Sequence, residues 1–73
     1  MSILHSMDIK QKFGIKIKQL RTEKGWSQEK LALNAGLDRT YLPSIEKGER
    51  NVSLEVIEKL ALALNKTPSE LIG

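Results

Sequence analysis

The chain has 73 residues and no cysteine, with 12 Lys and Arg against 9 Asp and Glu, for a formal net charge of +3. One small domain is expected, because a chain of this length buries only about 60% of the surface that its unfolded form exposes. The absence of cysteine excludes a disulfide scaffold and a thiolate metal site, and no apolar run approaches the ~20 residues that span a bilayer.

The first seven residues, MSILHSM, contain too short an apolar stretch for a secretory signal. We expect them to form a loose tail ahead of one domain at residues 8–73, in a cytoplasmic protein without membrane contact. From about residue 8 to residue 24, apolar residues recur at intervals of four and three, which predicts a first helix that ends at Gly25. Lysines cluster on the opposite face, where they form either a solvated surface or a binding surface for a polyanion. The apolar stripe consists of Phe13, Ile17 and Leu20.

Residues that favour the start of a helix occur at several positions in the rest of the chain. Ser27 is predicted to cap a second helix at residues 28–35, and Gly36 to end it with a left-handed turn. An apolar residue just before a cap packs on one four residues after it, and this staple fixes how the chain enters the helix. Three staples with the cap as the middle residue are predicted: Trp26-Ser27-Leu31, Leu37-Asp38-Leu42 and Val52-Ser53-Ile57. A capping box with proline at the first helical position is formed by Thr67, Pro68 and Glu70.

The second and third helices are joined by a very tight connection that contains a glycine, which is typical of a helix-turn-helix. Apolar residues stand where the two helices must face each other, and Ala32 is small where the third helix would cross closest. No strand signal interrupts the pattern. We therefore expect an all-α, compact five-helix domain that contains a helix-turn-helix. The facing residues are Leu31, Ala35, Leu37, Leu42 and Ile45.

Pro43 lies within the predicted third helix. An interior proline removes a backbone hydrogen bond and clashes with the carbonyl four residues back, at a cost of roughly 3 kcal/mol. With Thr40 as the cap, Pro43 would fall in the first turn and cost little. The staple of Leu37 and Leu42 instead favours Asp38 as the cap. We therefore expect Pro43 to be an interior residue that kinks the third helix.

The stretch RTEKGWSQEKLALNAGLDRTYLPSIEKGERNVSLEVIEKLALAL resembles the XRE family of Cro-like and phage-repressor-like helix-turn-helix proteins. Within that family, DRTY and IEKGERN are most similar to the controller proteins of restriction–modification systems. The resemblance covers residues 13–72. It implies a lambda-repressor-like regulator that binds a palindromic DNA operator as a dimer, with the third helix in the major groove, and controls its own gene or a restriction–modification operon. It also implies a salt bridge between Arg21 and Glu46.

The outward side of the third helix supplies candidate base-reading residues. With Leu42 and Ile45 facing the core, five positions face outward, and the first of them is an arginine. Arginine pairs with guanine through two hydrogen bonds, whereas threonine offers a hydroxyl or packs its methyl group on thymine. A solvated surface role is the alternative for this arginine, and the register favours base contact. The five positions are Arg39, Thr40, Pro43, Ser44 and Lys47.

Further DNA-binding candidates lie outside that face. Gln28 begins the second helix, where backbone amides and the helix dipole suit a phosphate, and Ser27 assists there or serves only as a cap. Tyr41 is either half-buried core or a contact to the DNA backbone or minor groove. By resemblance, Arg50 and Asn51 contact the DNA backbone, although an exposed loop arginine is more often merely solvated.

The sequence contains no Gly-rich phosphate loop and no nucleophile beside a base. We therefore expect neither an enzyme nor a cofactor, a metal or a small-molecule ligand. The competing interpretation is a protein-interaction module, such as an antitoxin-like partner, that keeps the helix-turn-helix shape. Leu62 falls off the apolar stripe of the fourth helix, and Leu71 and Ile72 follow at the C-terminus. These three are either harmless exposed hydrophobics or a homodimer interface, which binding to a palindrome also needs.

Overall fold

The computed structural model describes residues 8–73, which form five helices and, within that range, no strand. The expected all-α, five-helix fold is confirmed. The expected tail at residues 1–7 lies outside the described residues. Between residues 8 and 73, no helix is long and apolar enough to cross a membrane. In chain order the helices are α1 (Ile9–Glu23), α2 (Gln28–Ala35), α3 (Tyr41–Glu46), α4 (Leu54–Leu64) and α5 (Pro68–Ile72).

Side chains at the helix starts explain where four of the helices begin. Ser27 and Ser53 each accept a hydrogen bond of 3.1 Å from the backbone N–H three residues further on. Thr67 and Glu70 form the predicted capping box at α5, in which each side chain accepts from the backbone of the other. A second capping box, at Asp8, begins α1. These contacts satisfy backbone donors that the helices themselves leave unpaired.

The core is a single cluster to which all five helices contribute. The predicted stripe of α1 is buried at Phe13 and Ile17, and Leu20 packs against the cluster from its edge. Burying one large aliphatic side chain contributes roughly 1.5–3 kcal/mol, so this cluster is the main source of stability. Its members are Phe13, Ile17, Leu31, Ala32, Ala35, Leu42, Ile45, Ile57, Leu60, Ala61, Leu64 and Leu71.

Leu71 is among these core residues, with only 1% of its surface exposed. The prediction that it belongs to a homodimer interface is therefore wrong. α5 packs against α1 and α4, which places this leucine on the inner side of α5. Ile72, the next residue, remains exposed. Of the three residues named for that interface, Leu62 and Ile72 are left on the surface.

The close approach of α1 to α3 depends on Gly14. This glycine is buried within α1, and a Cβ atom there would lie 2.9 Å from the backbone oxygen of Glu46 and nearer still to that of Ile45. Such separations are shorter than a van der Waals contact, so a side chain at this position would push the helices apart. Glycine here allows two backbones to touch.

We expect Gly14→Ala to lower the free energy of unfolding by roughly 1–3 kcal/mol, because the added methyl group overpacks the contact between α1 and α3. Alanine has the higher helix propensity, so a purely local effect would have the opposite sign. Denaturant unfolding followed by circular dichroism measures the change. Lys18→Ala, at an exposed position of the same helix, is the control and should stay within about 0.5 kcal/mol of the wild type. Equal stability of Gly14→Ala and wild type would contradict the close contact.

Candidate nucleic-acid interface

α2 and α3 pack against each other and form the predicted helix-turn-helix. Gly36 ends α2 with a φ of 70°, in the left-handed region that glycine enters without steric cost. The backbone N–H of Leu37 then donates to the carbonyl of Ala32 at 2.9 Å, which closes the end of α2. Leu37 itself packs against the core from its edge, and the other predicted facing residues are buried: Leu31, Ala35, Leu42 and Ile45.

Asp38 organises the turn that precedes α3. Its Oδ1 atom accepts a hydrogen bond of 2.9 Å from the backbone N–H of Thr40 and one of 2.8 Å from the Thr40 hydroxyl. Both hydrogen bonds lower the pKa of the Asp38 carboxyl group. α3 itself begins at Tyr41, with Thr40 at the cap position. The prediction that Asp38 is the cap of α3 is therefore wrong, since its hydrogen bonds close the preceding turn instead.

Pro43 is consequently the third residue of α3. The first N–H groups of a helix have no acceptor within the helix, so proline at this position removes no helical hydrogen bond. The predicted interior position, its cost of roughly 3 kcal/mol and the kink inferred from it are wrong. Thr40 as the cap, the alternative that the sequence also allowed, matches the observed start of the helix.

Five of the candidate residues share one side of α3 and its ends. Residues three, four and seven apart lie on the same face of a helix, and these positions follow that spacing away from the buried Leu42 and Ile45. Arg39, Thr40 and Lys47 are exposed, whereas Pro43 and Ser44 are half-buried. We call this surface the outward face of α3; its residues are Arg39, Thr40, Pro43, Ser44 and Lys47.

Arg50 folds back from the following loop onto α3. Its guanidinium carbon lies 4.4 Å from the centroid of the Tyr41 ring, close enough for a cation–π interaction. Its Nε atom donates to the Ser44 hydroxyl at 2.9 Å, and that hydroxyl donates to the backbone carbonyl of Tyr41 at 3.0 Å. The structure thus brings three candidates into one contact. Asn51 follows as an exposed residue.

A network of charged and polar groups ties α1, α2 and α3 together. Arg21 of α1 donates to both oxygens of Glu46 in α3, from Nε at 2.7 Å and from Nη2 at 3.0 Å. This confirms the expected salt bridge, and the hydrogen bond to Glu46 raises the pKa of Arg21. The remaining Nη1 atom donates to the backbone carbonyl of Trp26 at 2.7 Å. The same arginine therefore holds both the segment before α2 and the end of α3.

Glu46 also orients Gln28, the first residue of α2. The Nε2 atom of Gln28 donates to Glu46 Oε1 at 3.0 Å. Because a carboxylate only accepts, the amide nitrogen of Gln28 must face it, and one amide N–H and the amide oxygen stay free. A phosphate placed at the N-terminus of α2 would meet this amide and the unpaired backbone N–H groups. The sequence predicted Gln28 as a candidate but gave no sign of its contact with Glu46.

The comparisons with known proteins agree with this geometry. The family model HTH_3, described as helix-turn-helix, matches residues 17–71. The chain therefore belongs to this family, the XRE family of helix-turn-helix proteins, as the sequence resemblance implied. The family consists of DNA-binding regulators and not of enzymes.

More particular similarity is to controller proteins. Control protein C.MunI of Mycoplasma sp. is 55% identical over 67 residues, which are 90% of either chain. Control protein C.BamHI of Bacillus amyloliquefaciens is 51% identical over 61 residues, 82% of this chain and 75% of that one. The crystal structure of the restriction-modification controller protein C.AhdI from Aeromonas hydrophila superposes with a TM-score of 0.82 at 55% identity, covering 85% of this chain and 94% of the other.

A DNA-bound structure is also similar. SinR, the master regulator for biofilm formation, in complex with DNA superposes with a TM-score of 0.80 at 39% identity. The superposition covers 84% of this chain and 98% of the SinR chain. A protein similar to this chain, SinR, has therefore been crystallised in a complex with DNA.

We expect Pro43→Ala to change the free energy of unfolding by less than about 1 kcal/mol, since position 43 has no helical hydrogen bond to gain. Moving the proline one residue onward, as Pro43→Ala with Ser44→Pro, should cost up to roughly 3 kcal/mol, because position 44 lies beyond the first three residues of α3, where a proline ring clashes with the carbonyl four residues back. Thermal unfolding of the two variants makes the comparison. A gain of about 3 kcal/mol in Pro43→Ala would instead place this residue in the helix interior.

Proposed function

We propose that this protein is a sequence-specific DNA-binding transcriptional regulator that acts in the cytoplasm and binds a palindromic operator as a homodimer. The observation that carries the proposal is the outward face of α3, on which Arg39, Thr40 and Lys47 are exposed, next to the N-terminus of α2 in a helix-turn-helix. An α-helix fits the major groove of B-DNA, where base edges can be read. In such motifs the second helix lies in that groove while the first crosses the backbone.

The residues divide into two roles under this proposal. Arg39 and Thr40, both exposed, read base edges, and Pro43 packs its ring on a thymine methyl group or a sugar. Gln28 and Ser27 hold a phosphate at the start of α2. Positively charged residues at the edges supply attraction to the DNA backbone that does not depend on sequence. The remaining contacts come from Tyr41, Ser44, Lys47, Arg50 and Asn51.

Similarity to controller proteins supports a more specific proposal about which genes the protein regulates. Two relatives bear the name control protein, and a third is a restriction-modification controller protein with a solved structure. We infer that this chain regulates a restriction–modification operon, its own gene included. Helix-turn-helix dimers read two half-sites about one helical turn apart, so a two-fold assembly of this chain would recognise a palindrome upstream of that gene.

Exposed apolar residues on α4 and α5 support the homodimer. Leu62 is 75% exposed and Ile72 is 43% exposed, on helices that do not carry the outward face of α3. Two copies that join through them would leave both copies of α3 free for DNA. The second candidate function, a protein-interaction module of the antitoxin-like kind, draws on the same exposed leucine and differs in having no need for DNA.

Titration of a duplex from upstream of the protein's own gene tests the function and separates the residue roles. Binding by the wild type should weaken steeply with salt, since each neutralised phosphate adds about −0.9 to the slope of log K against log salt. Arg39→Ala should lose roughly 1–3 kcal/mol on the specific duplex and relax preference at one base. Gln28→Ala should weaken specific and random duplexes alike, because it removes a phosphate contact.

Two results would count against these assignments. Equal losses for Arg39→Ala on specific and random duplexes would remove Arg39 from the base-reading residues. Absence of salt-dependent duplex binding in the wild type would favour the protein-interaction module. Circular dichroism of each variant serves as the control for folding, because both substitutions leave the apolar core intact.

We expect Leu62→Glu to shift a dimer toward monomer while the helical content stays the same. The added charge would be buried without a partner at an apolar interface, which is costly. Sedimentation across a range of concentrations measures the mass distribution. Leu33→Glu is the matched control, since Leu33 is 76% exposed on α2 and lies outside the proposed interface. Identical mass distributions for Leu62→Glu and wild type would place the interface elsewhere.

A further inference from the structure

The carboxylate of Asp38 holds the only hydroxyl proton of Thr40. The distance from Thr40 Oγ1 to Asp38 Oδ1 is 2.8 Å, and the backbone N–H of Thr40 donates to the same oxygen at 2.9 Å. An ionised carboxylate can only accept, so the hydroxyl is the donor in this pair. The lowered pKa of Asp38 keeps the carboxylate ionised at neutral pH. Thr40 remains exposed on the outward face of α3.

A hydroxyl group has one proton to donate and two lone pairs that accept. Once its proton is directed at Asp38, the Thr40 hydroxyl can only accept hydrogen bonds from another molecule. In the major groove, adenine and cytosine each present an amino group that donates, whereas guanine and thymine present acceptors alone. The polarity of one side-chain hydrogen bond therefore divides the four bases into two classes.

We propose that Asp38 is a positioning residue that makes Thr40 an obligate acceptor, so that Thr40 selects adenine or cytosine on the DNA strand it faces and disfavours guanine and thymine. The inference rests on the proposed DNA-binding function and adds the class of base that one position of the operator must carry. Asp38 need not touch DNA for this effect, since it acts through the orientation of the Thr40 hydroxyl.

Base preference, and not affinity, is the measurement that tests this inference. The negative charge of Asp38 near a polyanion weakens binding to every sequence, so any variant that removes the charge binds all duplexes more tightly. A ratio of affinities between bases at one position cancels that general effect. The neutral variant Asp38→Asn keeps an acceptor oxygen in the same place and so separates the charge from the hydrogen bond.

The experiment selects bound duplexes from a pool randomised over two half-sites and sequences them for the full chain and its variants. Thr40→Val, which lacks the hydroxyl and nearly keeps the shape, identifies the base position that depends on Thr40. There the wild type should favour adenine or cytosine roughly three- to tenfold. Asp38→Ala should bring this ratio close to one, because the released hydroxyl donates to guanine and thymine as well. Asp38→Asn should keep the wild-type ratio.

Several outcomes would overturn the inference. The first is a base preference in Asp38→Ala that equals that of the wild type. The second is a wild-type preference for thymine at the base position that depends on Thr40. The third is a change in base preference at that position when Asp38→Ala is added to Thr40→Val. Sequence-specific binding without any position that responds to Thr40→Val would overturn the inference and leave the proposed function standing. A wild type that binds no duplex would remove both. If Asp38→Ala does not fold by circular dichroism, Asp38→Gly removes the carboxylate as well, and glycine is a common residue in turns such as the one before α3.

Discussion

The ion pair between Arg21 and Glu46 fixes where the helix-turn-helix lies on the rest of the domain. Both side chains are nearly shielded from water, at 11% and 5% exposure, and removing one partner of such a pair costs about 3–5 kcal/mol because the other charge stays unpaired. Gly14 lies two turns before Arg21 and therefore on the same face of α1. α3 is thus held by a backbone contact at Gly14 and by a charged contact at Arg21.

The two ends of α3 are consequently anchored by different kinds of interaction. Its C-terminal end carries Glu46, which is shared among α1, α2 and α3. Its N-terminal end follows a turn in which the exposed Asp38 carboxylate accepts hydrogen bonds from the backbone N–H and the hydroxyl of Thr40. Shielded charge pairs depend little on salt, whereas exposed charges are screened. The orientation of α3 is therefore set by the shielded contacts at its C-terminal end. The conformation of the turn at its N-terminal end is set by short local hydrogen bonds.

Local chemistry explains which parts of the fold the sequence predicted. Ser27, Ser53 and Thr67 were identified as caps because the hydrogen bond of a cap involves only residues two or three apart. Asp38 was assigned wrongly for the same reason, since an aspartate before a helix and an aspartate that closes a turn make similar short-range hydrogen bonds. α5 was also predicted, but its five residues are too few for periodicity to show that Leu71 faces the core.

Tertiary contacts explain most of what the sequence did not predict. Gly14 sits in the middle of a helix, where glycine is locally unfavourable, and only the neighbouring backbone of α3 accounts for it. In the candidate interface, helical spacing alone predicted which residues from Arg39 to Lys47 face outward, and the resemblance to the family implied that this helix reads DNA. The hydrogen bond between Gln28 and Glu46 joins residues 18 positions apart, and no local pattern in the sequence encodes it.

The packing of Arg50 on Tyr41 has a consequence for the entropy of association. A free arginine side chain carries about 2 kcal/mol of rotamer entropy, and a flexible residue loses much of it when a partner immobilises it. Stacking on the Tyr41 ring and the hydrogen bond to Ser44 restrict this side chain while the protein is still alone. Its positive charge is therefore presented from a preorganised position, so that little conformational freedom is left to lose on contact with an anionic surface.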